Sequence, residues 1–159
     1  MDEALKRLAE DPSVIVIDLY PHPLGDKQML WLDVQSPEAL GQLRAVFVEL
    51  AEGRAREVSL SSVGWAAFTS RICDVTLKRT DAREEPSRTV ELRKGTPGAS
   101  SIEWTRHAKG WLECVDLVEA LAPDPVHHQY LNNGTEDEAE IQVSFRESGA
   151  EHRFWHLRE

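Results

Sequence analysis

The chain has 159 residues, 41% of them hydrophobic and 29% charged, and a formal net charge of −10. A chain of this length buries roughly 70% of its unfolded surface, so it needs neither a disulfide nor a metal to hold a core. The size implies one domain over residues 1–159, and the acidity argues against nucleic acid or an anionic membrane as a partner.

Residues 2–10 are expected to form a short amphipathic helix with Leu5 and Leu8 on one side. Asp11-Pro12-Ser13 ends it, because proline cannot continue the hydrogen-bond ladder. Residues 14–20 are a β-branched run, read as a buried strand. Its apolar stretch stops at Asp18, too soon for a signal peptide or a membrane span. Two prolines and a glycine then mark a loop, and residues 29–34 read as the partner strand of a β-hairpin.

The next helix carries the strongest local signals. Ser36 suits the N-cap, Pro37 the first helical position and Gly53 the position just past the end. Between them Leu40, Leu43, Phe47, Leu50 and Ala51 recur at helical spacing and define a core face.

Beyond Arg56 the period changes to two: Val58 and Leu60, then Cys73, Val75 and Leu77, then Val90 and Leu92, then Ile102 and Trp104 alternate with polar neighbours. Such alternation marks strands with one wet face, as in antiparallel sheets. Both cysteines, Cys73 and Cys114, are expected to be buried, reduced thiols of a cytoplasmic protein. A second helix is expected over residues 109–122, with Trp111, Cys114, Val115, Val118 and Leu121 inward and Glu113, Asp116 and Glu119 outward. A short strand at 126–131, a turn at 132–134 and a strand through Ile141, Val143 and Phe145 follow, and the tail at 152–157 reads as an edge strand. The resulting fold class is α+β: an antiparallel or mixed sheet of about six to eight strands packed against two main helices.

Charge is unevenly placed. Residues 71–109 hold nine basic and six acidic residues, for a net of +3, while the remainder nets −13. The middle bases are interleaved with acids, so cross-strand ion pairs explain them better than a phosphate-binding patch. Residues 110–145 hold eight carboxylates (Glu113, Asp116, Glu119, Asp124, Glu136, Asp137, Glu138 and Glu140) and no Lys or Arg. The plain reading is a solvated helix face followed by an acidic turn. The functional reading is a docking surface for a basic protein, because complementary charge speeds encounter and fixes orientation. It makes Glu113, Asp116, Glu119, Glu136, Asp137, Glu138 and Glu140 candidate partner-binding residues, with Tyr130 or Trp155 as an apolar anchor.

Competing chemistry is thinly supported. The acids at 136–138 lack the alternating oxygen ligands and the glycine of a calcium loop. His127, His128, His152 and His156 suggest a small metal-dependent or hydrolytic enzyme as the alternative, but Cys114, the thiol that would complete such a site, falls on an apolar helix face. There is no phosphate-binding glycine loop, nucleophile elbow, Cys-x-x-Cys or His-Glu-x-x-His. No cofactor is expected, and the tail strand leaves pairing between copies of the chain open.

The C-terminal third, with Ile102-Glu103-Trp104, an amphipathic helix, His128-Gln129-Tyr130-Leu131, a turn and Ile141-Gln142-Val143-Ser144-Phe145, resembles small bacterial proteins, and in size and acidity the chain resembles the immunity proteins of bacterial toxin systems. The resemblance implies a cytoplasmic, non-catalytic inhibitor that covers the active site of a basic toxin such as a nuclease. It transfers no individual residue.

Overall fold

Residues 3–21, 28–85, 89–95, 100–121, 127–132 and 139–145 are described by a computed structural model of the chain. In chain order they form α1 (Glu3–Glu10), β1 (Ile15–Pro21), β2 (Gln28–Val34), α2 (Pro37–Glu52), β3 (Glu57–Ser59), a 3₁₀ turn (Leu60–Ser62), β4 (Ala66–Phe68), β5 (Ile72–Thr80), β6 (Val90–Lys94), β7 (Ser100–His107), α3 (Ala108–Glu119), β8 (His127–Tyr130) and β9 (Glu140–Phe145). The class is α+β, as expected. The described strands, however, number nine and divide into two mixed sheets, ordered β4-β1-β2-β9-β8 and β3-β5-β7-β6.

The β1–β2 hairpin is antiparallel, with Asp18 opposite Trp31. Three other pairings are parallel: β1 with β4, β2 with β9, and β5 with β7. Alternation in the sequence reports that one strand face is wet, and it says nothing about strand direction. The antiparallel expectation therefore fails at β5 and β7, whose parallel pairing comes from the intervening β6 excursion.

Both ends of α2 are built from local chemistry. Ser36 Oγ accepts the Ala39 N–H at 3.1 Å, and Gly53 takes a left-handed φ of 79° just past the last turn. There the Arg79 guanidinium donates to the Leu50 and Ala51 carbonyls at 3.0 and 3.1 Å. It satisfies orphan acceptors at the negative end of the helix dipole.

One core takes the inner face of the first sheet, one face of the second, and both longer helices. At its centre Phe47 of α2, Trp104 of β7 and Trp111 of α3 meet, with ring centroids 4.7–5.8 Å apart. Such contacts add about 0.5–1.5 kcal/mol each beyond area burial. A smaller cluster on the outer face of the first sheet joins Val14, Val16, Trp31 and Ala67 to Ala4 of α1, with Leu5 and Leu8 packed against it.

That outer face also holds polar groups that the sequence reading passed over. Asp18 and Asp33 are fully buried although each interrupts an apolar strand. Asp18 Oδ1 accepts from Thr69 Oγ1 at 2.6 Å and from the Leu19 N–H at 2.8 Å. Ser144 Oγ accepts from Trp31 Nε1 at 2.7 Å and from Gln142 Nε2 at 3.1 Å. A hydroxyl and a carboxylate survive burial because these bonds replace water.

Candidate functional site

The acidic block spans α3, β8 and β9, so its meaning depends on how α3 is held. Trp111, Cys114, Val115 and Val118 are buried along one stripe, which turns Leu112, Glu113, Asp116 and Glu119 to solvent. The helix begins at His107, whose Nδ1 accepts the Gly110 N–H at 2.9 Å. This bond requires the unprotonated nitrogen at that position.

Beside the cap lies a charged cluster. Arg106, at the end of β7, has a side chain only 12% exposed. Its Nε and Nη2 donate to both oxygens of Glu85 at 3.0 Å, and Nη2 also reaches Glu113 Oε2 at 3.1 Å. Nη1 points at Cys114 Sγ (3.3 Å) and the Leu131 carbonyl (3.4 Å). Burial works against the charge on Arg106. The hydrogen bonds and charge of Glu85, with the Cys114 sulfur, overcome that penalty and hold the guanidinium above its ordinary pKa. The neighbouring Cys114 thiol is pushed up to about 11, mainly by burial, so it stays protonated and unreactive at neutral pH. Cys73, by contrast, is exposed, which corrects the expectation that both thiols are inside. It occupies the position of a register shift where β5 meets β7, so the alternation that put it on the inner face does not hold there.

The Leu131 contact brings the end of β8 against α3, so Tyr130 lies one residue from the Arg106–Glu113 cluster. Tyr130 pairs with Gln142 in the β8–β9 register. Asn132 closes the same end by donating to the Ala139 carbonyl at 2.9 Å and accepting the Ile141 N–H at 2.7 Å. Glu140, half-buried at the start of β9, belongs to this end as well. Leu112, 53% exposed, and Tyr130, 48% exposed, are the exposed large hydrophobic side chains among the described residues.

The candidate acids are not a bare wall. Glu113 shares Arg106 with Glu85, and Glu119 Oε1 accepts from Arg44 Nε of α2 at 2.6 Å. Both bridges have exposed carboxylates, and such bridges contribute about 0–1 kcal/mol, so a partner's cations can compete for them. Asp116 is exposed between them. Beneath the Arg44–Glu119 bridge runs a groove of about 180 Å³ lined by Pro37, Leu40, Gly41, Val118 and Phe145. Glu136, Asp137, Glu138 and Trp155 lie outside the described residues, as do the side chains of His127, His152 and His156. His128 stacks edge-on against Tyr130 at 5.6 Å.

The central bases do pair with acids. Lys78 bridges Glu57 and Glu103, and Arg93 bridges Glu91 and Glu103. Sequence reasoning missed Arg106, Glu85, His107 and Gly110. Only the arginine directly before a histidine cap at a strand–helix junction offered a signal.

Among the described residues no group of three or more His, Cys, Asp or Glu is placed to hold a metal ion, and no helix is long and apolar enough to cross a membrane. Compared with protein-family models, curated proteins and solved structures, the chain matches none.

Proposed function

We propose that this protein is a non-catalytic protein-binding module whose docking face is the outward side of α3 together with the β8–β9 end. The observation that carries the reading is that the exposed large hydrophobic side chains among the described residues, Leu112 and Tyr130, lie on α3, which bears Glu113, Asp116 and Glu119, and on β8, which pairs with the Glu140-bearing strand β9. Interfaces of this kind combine apolar anchors with a polar rim. Glu113, Asp116, Glu119 and Glu140 supply the rim, and Glu136, Asp137 and Glu138 fall in the segment between β8 and β9. The pairing of Glu113 and Glu119 with Arg106 and Arg44 moves the weight of the reading from charge alone to the apolar anchors. The acids then steer and orient a basic partner, and Leu112 and Tyr130 hold it.

The specific form of this reading is an immunity protein that covers the cationic active site of a toxin such as a nuclease. The test starts from immobilised protein exposed to extract of its source cells. A retained basic protein is identified and purified, and its affinity is measured across a salt series. Leu112→Asp and Tyr130→Ala are each expected to weaken binding by about tenfold or more, and wild-type affinity to fall with added salt. Binding that ignores both substitutions and the salt overturns the proposal. Inhibition of a nuclease by the purified protein tests the narrower form.

A further inference from the structure

The groove between α2 and α3 is apolar except at one ion pair. Pro37, Leu40, Gly41, Val118 and Phe145 line it, and its charged lining residues are Arg44 and Glu119, joined at 2.6 Å. Its volume is about 180 Å³. A cavity of about 150 Å³ lined by Leu, Ile and Phe takes up benzene, so the groove has room for one phenyl ring or one leucine side chain.

Gly41 keeps this space open. It stands in the second turn of α2, a 16-residue helix capped at both ends, where glycine is the least favourable residue short of proline. Its backbone does not call for glycine, because the glycine with positive φ among the described residues is Gly53. Packing does not call for it either, because a Cβ on Gly41 would meet nothing within 4 Å. Gly110, by contrast, has charged groups within 3 Å of that position. Gly41 is exposed, so a longer side chain there would extend into the groove.

The surroundings of the groove select its occupant. Glu38 is exposed one turn before Gly41 on the same helix surface, and Asp116 is exposed one turn before Glu119. Arg44 is the only base in α2, and Lys109 stands at the far end of α3. Three carboxylates thus surround one local cation, and that cation is held by an exposed bridge of the kind that contributes little. The groove also continues the docking face. Leu112 and Glu119 are seven residues apart on α3, about 10 Å along the helix axis.

We infer that the groove is a pocket for one apolar side chain of the basic partner, a phenylalanine or leucine followed directly by arginine or lysine. The inference rests on the docking reading above and adds a specificity pocket to it. The apolar side chain packs on Leu40, Val118 and Phe145 over Gly41. The adjoining cation takes Glu119, Asp116 or Glu38, displacing Arg44 from its bridge where it takes Glu119. A partner with an acidic residue beside the anchor is repelled by the same carboxylates.

The probe is N-acetyl-phenylalanyl-arginine amide, titrated to about 10 mM into ¹⁵N-labelled protein and followed through backbone amide shifts. Saturable shifts at Leu40, Gly41, Val118 and Glu119 with a Kd in the millimolar range are expected, since a single side chain is buried. The alanyl-arginine analogue should bind at least tenfold more weakly, because the ring supplies the burial. The phenylalanyl-glutamate analogue should bind several-fold more weakly. Gly41→Leu fills the groove and should weaken the first peptide at least tenfold. Gly41→Ala, which has open space for its methyl group, should unfold at a higher temperature than wild type and bind the peptide less tightly. No shifts at these residues, equal binding of the three peptides, or a folded Gly41→Leu variant that binds like wild type overturns the inference. The peptide reads the groove alone, so its failure strikes the pocket and not the docking face, whose own test is Leu112→Asp and Tyr130→Ala.

Discussion

Gly110 offers the sharpest test of how the docking helix is held. It lies buried in the first turn of α3, where an alanine would ordinarily gain up to about 1 kcal/mol of helix propensity. Here a Cβ would stand 2.5 Å from Glu85 Oε1, 2.6 Å from Arg106 Nε and 2.9 Å from Arg106 Cζ. Neither partner can swing aside cheaply. The Arg106 guanidinium is tied at once to Glu85, Glu113, the Cys114 sulfur and the Leu131 carbonyl, and the Glu85 side chain is only 18% exposed. Breaking a buried pair of this kind costs about 3–5 kcal/mol, so Gly110→Ala should destabilise the protein by about 2–4 kcal/mol after the propensity gain. For a chain of this size that lowers Tm by on the order of 10 °C. Urea unfolding followed by tryptophan fluorescence measures it, since Trp104 and Trp111 are buried in the same core. In a Glu85→Ala background the penalty should fall by more than half, because one of the two clashing groups is gone. A Gly110→Ala variant as stable as wild type, or more stable, refutes the reasoning that the ion pair needs the bare Cα.

Three further outcomes follow from the same interior. Trp111 Nε1 donates to the Lys78 carbonyl at 3.0 Å, whereas buried Trp104 Nε1 has no hydrogen-bond partner among the described residues. Trp111→Phe should therefore cost about 1–2 kcal/mol more than Trp104→Phe in chemical denaturation, and the reverse order would contradict the bond assignment. A thiol reagent at neutral pH should label Cys73 promptly and Cys114 only after unfolding, as read by mass spectrometry; equal labelling would mean that Cys114 is not enclosed. Burial opposes the charge on Asp74, but bonds from Ser59, the Ser61 N–H and Thr76 outweigh it and depress the pKa. A depressed carboxylate contributes stability above its unfolded pKa, and that contribution is lost as pH falls through the folded value. The gap in urea midpoint between wild type and Ser59→Ala should thus be widest near neutrality and close below about pH 4; a gap independent of pH would remove Asp74 from the account.

Several elements were legible before any coordinates. Ser36, Pro37 and Gly53 framed α2 because capping is settled within four residues along the chain. The inward stripe of α3 could be read because Trp111, Cys114, Val115 and Val118 recur at helical spacing. The candidate site was legible only as a list of outward acids. Their partners were not, because Arg44 and Arg106 are remote or hidden on other elements, and an arginine in sequence does not announce which carboxylate it will meet. Asp18 and Asp33 were passed over for a related reason: a carboxylate inside an apolar strand reads as an interruption until a second face of the sheet proves to be buried.

Local order in this protein, its helices, its hairpin and the net acidity of its C-terminal third, was determined by the sequence alone, since short-range sterics, capping and charge counting act on neighbouring residues. The division of the strands into two sheets, their parallel pairings, the seating of Arg106 among Glu85, Glu113 and Cys114, and the exposure of Leu112 and Tyr130 were decided only by tertiary structure. Those features depend on which distant surfaces exclude water from one another, and no window of adjacent residues contains that information.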